Sequence, residues 1–223
     1  MYNILNNEFI TSIDKKFLWQ YFTGNISLFR YYQNIYLENI GKYFHGTIIE
    51  IGGITTVNNK QYFPNAKNYI LTNITGDVEL ILDVTNMDGI DDNSIDSIVC
   101  ISVLEHIYEI KKAIREIERV LKPGGNLVIT TPFLFPYHDN VDFYRFSRDF
   151  YLNCFSSIKL KNITKLGGAI STIVNILQRP CGKLSLKYTV YKTIGFIIAL
   201  FGIFIDTSDN YPIGFAIYGE KSV

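Results

Sequence analysis

A buried strand running straight into glycine is the feature that most restricts this chain. Residues 47–59 read Thr-Ile-Ile-Glu-Ile-Gly-Gly-Ile-Thr-Thr-Val-Asn-Asn. A short apolar run carrying one acid and ending in two glycines is how the first strand of a nucleotide-binding α/β domain meets its ligand. Without a Cβ, the backbone can be approached closely. The rest of the chain follows the same plan. Apolar runs at 48–51, 68–72, 79–82, 96–101 and 126–131 predict strands, and unbroken apolar strands belong to parallel sheets covered on both faces. Between the last two, residues 108–121 predict a helix. Ile110, Ala113, Ile114, Ile117, Val120 and Leu121 share one stripe, charged side chains lie opposite, and Pro123-Gly124-Gly125 stops it. Strand, helix, turn and strand in that rhythm predict crossover units in a parallel sheet.

On either side the signals are plainer in kind than in place. Residues 13–45 predict two helices, the second capped by Ser27 and ended at Gly41. Beyond the core, 158–163 predicts a strand, 169–178 a helix and 212–218 a closing strand. From Thr193 to Ile205 there is no charged residue. That run is well short of the ~20 residues a spanning helix needs. Burial is the expectation for it, with peripheral membrane contact through 183–205 as the alternative. No internal repeat or low-complexity tract interrupts the chain.

At 223 residues the expectation is a single domain: an N-terminal helical cap over 1–45, a cofactor-binding core over 47–136, and a substrate-side region over 137–223. Lys+Arg and Asp+Glu balance at 21 each, which removes the electrostatic case for a nucleic-acid partner. Cys100, Cys154 and Cys181 form no CxxC pair and have no histidine cluster beside them in sequence. Neither a disulfide framework nor a metal site is therefore expected. Residues 1–14 are polar, without the basic flank or apolar centre of a signal peptide. The expected location is cytoplasmic, at a membrane if 183–205 lies on one.

Ligands of open parallel sheets bind beyond the carboxyl ends of the strands. The candidates are therefore Glu50, Gly52 and Gly53, then Asn73, then Asp83 and Val84, then Ser102. Asp83 can accept a hydrogen bond from an exocyclic amine such as that of adenine. Asn73, about 20 residues past the glycines, stands where a ribose-binding residue belongs. A nicotinamide dinucleotide is disfavoured, because positions 54 and 57 are Ile and Val where its fingerprint has glycine.

The residues Ile-Ile-Glu-Ile-Gly-Gly (48–53), Leu-Asp-Val-Thr (82–85), Asp-Asp-Asn-Ser-Ile-Asp-Ser-Ile-Val (91–99), Val-Leu-Glu-His-Ile (103–107) and Leu-Lys-Pro-Gly-Gly (121–125) occur in this order. In order and spacing the chain resembles class I S-adenosylmethionine (SAM)-dependent methyltransferases over about 47–136. Residues 132–146 resemble a subgroup found with bacterial surface-polysaccharide pathways. The resemblance implies a Rossmann-like, mostly parallel seven-stranded α/β sheet, helices on both faces and one antiparallel strand near the C-terminus, for which 212–218 is the natural candidate. It implies SAM as cofactor. Glu50 would help hold the methionine end through water, Gly52 and Gly53 would admit the cofactor, and Asn73 would stand at the ribose. Asp83 and Val84 would meet the adenine, with Ser102 beside the cofactor. The chain departs from the family at Ile54 and Thr56, where the motif has glycine, and at Asn73, where it has an acid. Before Pro64 there is also room for only a turn or two of helix.

Methyl transfer to oxygen needs a base as well as positioning. His138 is the candidate, with Asp142 to orient it and Tyr144 and Arg145 to grip a hydroxylated or anionic acceptor. His106, within Leu-Glu-His, reads as structural. The expected activity is SAM-dependent O-methylation of a small-molecule, saccharide or glycolipid acceptor. The alternative is a catalytically degenerate protein of the same fold that serves as a binding or scaffold subunit.

Overall fold

Ser27 opens the first long helix as its side chain suggests: Oγ accepts from the Arg30 N–H at 3.2 Å. That satisfies one of the amides a helix start leaves over. The computed structural model describes residues 9–10, 19–20, 26–177, 186–202 and 210–223. Apart from Trp19 and Gln20, the first of the two helices expected over 13–45 lies outside them. A two-residue strand β1 (Phe9–Ile10) is followed by helix α1 (Leu28–Ile40), β2 (His45–Ile51), β3 (Asn65–Asn73), β4 (Leu80–Ile81) and β5 (Ile95–Ile101). Then come α2 (Ile110–Val120), β6 (Leu121–Pro132), α3 (Arg148–Cys154), β7 (Ile158–Leu166), α4 (Ala169–Leu177), α5 (Leu186–Gly202) and β8 (Gly214–Lys221). Between β2 and β3 only one 3-10 turn, Asn59–Tyr62, occupies the place of a longer helix.

The strands form one sheet in the order β1-β7-β8-β6-β5-β2-β3-β4. Every pairing is parallel except the two made by β8, which runs antiparallel to both β6 and β7. This is the expected seven-stranded Rossmann-like sheet, with the closing strand reversed and β1 added at one edge. Successive residues of each strand feed opposite cores, as a period of two requires. Ile48, Val99, Val128 and Ala216 pack with α1 and α4. Ile49, Cys100, Ile129 and Ile217 pack with α2, Phe146 and Tyr151. Strand order reverses between β2 and β5, so their carboxyl ends diverge into a crevice.

One expectation fails. The outer face of α5 is not buried: Ile194, Ile197, Leu200 and Phe201 are exposed, Phe201 at 68%, and Ile173 and Ile176 of the neighbouring α4 are exposed as well. Among the described residues of this helix, Gly195 and Ala199 are buried. The reason lies in distribution, since apolar residues surround α5 while only one side meets the fold. No helix among the described residues is long and apolar enough to cross a membrane.

Candidate active site

Glu50, Gly52, Gly53, Asn73, Val84, Ser102 and His138 come together around one cavity of about 490 Å³ at the carboxyl ends of β2, β3 and β5. That is within the roughly 300–1,000 Å³ usual for small-molecule sites. Glu50 is almost fully buried. Its carboxylate accepts from Asn59 Nδ2 and Tyr69 Oη, both at 2.6 Å. Burial pushes its pKa up, although these two hydrogen bonds and nearby Arg30 oppose the rise.

The two glycines have reasons inside the protein. Gly52 has φ +68, and a Cβ there would meet Val103 at 2.5 Å; one on Gly53 would meet Leu71 at 2.1 Å. Asn73 braces the loop, with Nδ2 donating to the Gly53 carbonyl at 3.0 Å and Oδ1 accepting from Ile74 N–H at 2.8 Å. Asp83 turns away from the cavity wall that Leu82 and Val84 form. Its Oδ1 caps the following turn, accepting from Thr85 N–H and Thr85 Oγ1 at 2.8 Å each. Ser102, at φ +54, is a non-glycine residue in the left-handed region, a conformation costing about 1–2 kcal/mol. Its amide donates to the Thr130 carbonyl at 2.8 Å.

Helix α1 contributes what the motif reading missed. Gln33 is fully buried and donates from Nε2 to Ser102 Oγ at 2.8 Å and Thr130 Oγ1 at 2.7 Å, which leaves Oε1 without a partner. Arg30 lines the same cavity. Burial lowers its pKa, with Glu50, Tyr62 and Glu105 opposing. The available signal was spacing: Arg30 and Gln33 sit three apart on one face of the helix.

The mouth is closed by the chain after β6. Phe143 N–H and Tyr144 N–H donate to the Glu105 carbonyl, and His106 Nδ1 lies 2.5 Å from the Val141 carbonyl. These bonds lay the 138–144 segment over the Leu-Glu-His turn. Arg145 forks onto both oxygens of the buried Asp142 carboxylate and holds it at about 2. Asp142 in turn accepts from the His138 amide at 3.1 Å, and its Oδ2 is 3.1 Å from His138 Nδ1, poorly aligned for a hydrogen bond. Burial lowers the His138 pKa. Arg145 also binds the Phe135 and Pro136 carbonyls, and Tyr144 donates to the Tyr108 carbonyl. Both residues expected to grip the acceptor are therefore committed to the loop. Glu105 is fully buried beneath, and burial pushes its carboxyl up to about 8.

A mixed sheet with one reversed strand, and a crevice where an acid-glycine loop meets the central strands, define the SAM-dependent methyltransferase fold. Residues 55–129 match the family model described as a methyltransferase domain. The match starts after the two glycines, where the chain departs from the motif. No curated protein matches the chain in sequence. Among solved structures it is similar to a SAM-dependent methyltransferase from Archaeoglobus fulgidus, at 15% identity and TM-score 0.57 over 93% of this chain and 100% of that one. It is also similar to phosphoethanolamine N-methyltransferase 2 of Haemonchus contortus in complex with S-adenosyl-L-methionine, at 14% identity and TM-score 0.54 over 94% of this chain and 57% of that one. The [4+2]-cyclase SpnF is a third, at 14% identity and TM-score 0.55 over 84% and 80%. These likenesses are of fold; the chemistry must be argued from the site.

Proposed function

We propose that the chain is a SAM-dependent methyltransferase acting on a hydroxyl of a small-molecule, saccharide or glycolipid acceptor. The observation that carries this is the chemistry of the cavity. A desolvated guanidinium (Arg30), a buried carboxylate (Glu50) and an unpaired amide oxygen (Gln33 Oε1) line one wall. The methionine end of SAM carries a carboxylate and an ammonium, which call for such a cation and such acceptors. Asn73 would stand at the ribose and Val84 at the adenine, whereas Asp83, committed to the Thr85 turn, stays outside the cavity. The bound cofactor supplies a methyl group on a sulfonium. His138 at the mouth would take the acceptor's proton, its main chain held by Asp142 and Asp142 in turn by Arg145. The exposed face of α4 and α5 is the reason to place a glycolipid among the acceptors.

The degenerate reading has one observation in its favour. Both polar ends of the Asn73 amide are already used within the loop. Calorimetric titration with SAM and S-adenosylhomocysteine separates the two readings. Binding by the wild-type chain supports the enzyme; no binding by the wild type sinks it. Transfer of labelled methyl groups into any lysate fraction then excludes the scaffold.

A further inference from the structure

Two of the three histidines in this chain lie 32 positions apart, at 106 and 138, yet the fold sets their rings edge to face with centroids 5.0 Å apart. Glu105 lies under both. Its Oε1 is 3.8 Å from His106 Nε2 and 3.8 Å from His138 Nε2. One nitrogen from each imidazole and one carboxylate oxygen of Glu105 fall within 4.8 Å of one another. Glu105 is 0% exposed, and neither of its oxygens has a hydrogen-bond partner; the one amide that acts on it is its own. A carboxylate buried without compensation is costly. Here it is aimed at two nitrogens and at the cavity mouth that both histidines line.

We infer that Glu105, His106 and His138 form a binding site for a divalent transition-metal ion at the acceptor end of the cavity. Two imidazoles and a carboxylate are the donor set of open, three-ligand sites for zinc or iron(II). An ion with bonds of about 2.0–2.1 Å in tetrahedral geometry holds its donors ~3.3–3.4 Å apart. The two 3.8 Å spacings to Glu105 therefore need a few tenths of an ångström of closure, and the spacing between the two imidazole nitrogens, within 4.8 Å, needs at most about 1.5 Å, by side-chain rotation. The outer contact is in place for His106, whose Nδ1 at the Val141 carbonyl leaves Nε2 with its lone pair toward the cluster. Asp139, at the exposed rim, brings Oδ2 to 3.6 Å from His106 Nε2 and 3.8 Å from His138 Nε2. It offers a fourth oxygen where an acceptor or water would otherwise bind. With the ion held, His138 acts as a ligand and no longer as a free base. An acceptor oxygen taking the fourth position in place of Asp139 would be polarised by the ion. That consequence rests on the proposed methyl transfer; the metal site does not.

Cobalt(II) is the probe. The full chain, stripped with a chelator, should take up one equivalent and show the visible d–d bands of a low-coordinate site, and zinc should displace it. Loss of a direct ligand in Glu105→Gln or His138→Ala should weaken binding at least as much as loss of an outer-sphere partner, about 10–100-fold. His45→Ala, which removes the exposed third histidine, should bind as the wild type does. Melting curves on each variant check that the fold is intact. Absence of the bands, or binding untouched by the Glu105 and His138 variants, overturns the site. A parallel S-adenosylhomocysteine titration keeps the two ideas apart: cofactor bound without cobalt rejects the metal site alone, and cobalt bound without cofactor upholds the site while removing the methyl-transfer reading.

Discussion

Arg30 concentrates the tension between stability and binding at a single residue. A guanidinium drawn out of water beside the cavity, with its pKa lowered by burial, costs folding free energy unless a ligand anion compensates. Arg30→Met should therefore weaken S-adenosylhomocysteine binding by about 10–100-fold, the equivalent of a charged hydrogen bond of roughly 1.5–3 kcal/mol. The melting temperature of the unliganded chain should not fall. Calorimetry and thermal denaturation on the same sample test both halves, and unchanged affinity would remove Arg30 from the cofactor site. Gly52 is the opposite case, with a cost paid wholly in stability. Gly52→Ala puts a Cβ at φ +68 and against Val103, so a loss of about 1–3 kcal/mol is expected. A denaturant melt measures it. Gly52 was legible because a glycine at the end of an apolar strand marks backbone that is left-handed or closely approached; Arg30 was not, because it reaches the cavity from a helix outside the motif.

At the scale of elements, the junction of α2 with β7 shows how a surface-looking acid becomes structural. Glu118 lies on the polar side of the sequence stripe, yet it is buried. Its carboxylate accepts from Ser156 N–H and Oγ and from Ser157 N–H and Oγ. Burial alone would raise its pKa, but these hydrogen bonds outweigh it and hold the value below the ordinary one. A depressed folded pKa means the contribution is present above the unfolded value of about 4.3 and lost as pH falls through the folded one. Glu118→Gln should cost about 1–3 kcal/mol near neutral pH and flatten the acid limb of a stability–pH curve. A variant as stable as the wild type at pH 7 would show the cluster to be idle. Helix α2 itself was legible because its stripe runs three turns. Helix α3 was not anticipated, since it is too short for periodicity and buries only Tyr151.

For the whole molecule, the exposed apolar face of α4 and α5 makes a measurable demand. Were it the seat of peripheral membrane contact, the chain should co-sediment with liposomes, and Ile197→Glu with Phe201→Glu should abolish this while leaving S-adenosylhomocysteine binding intact. Pelleting no greater than that of the charged double variant would rule the membrane out. The sequence by itself determined the sheet, because apolar runs and one amphipathic stripe encode local periodicity, and local periodicity decides which face each residue buries. It also determined that β8 would close the sheet in the reversed direction, through likeness to a family. Only the tertiary structure decided that Glu105 and His106 meet His138, that Arg30 and Gln33 share a cavity with Glu50, and that α5 stays half uncovered. Each of these depends on contacts between segments distant in sequence. Local pattern records a residue's own face, and is silent about which remote segment will come to lie against it.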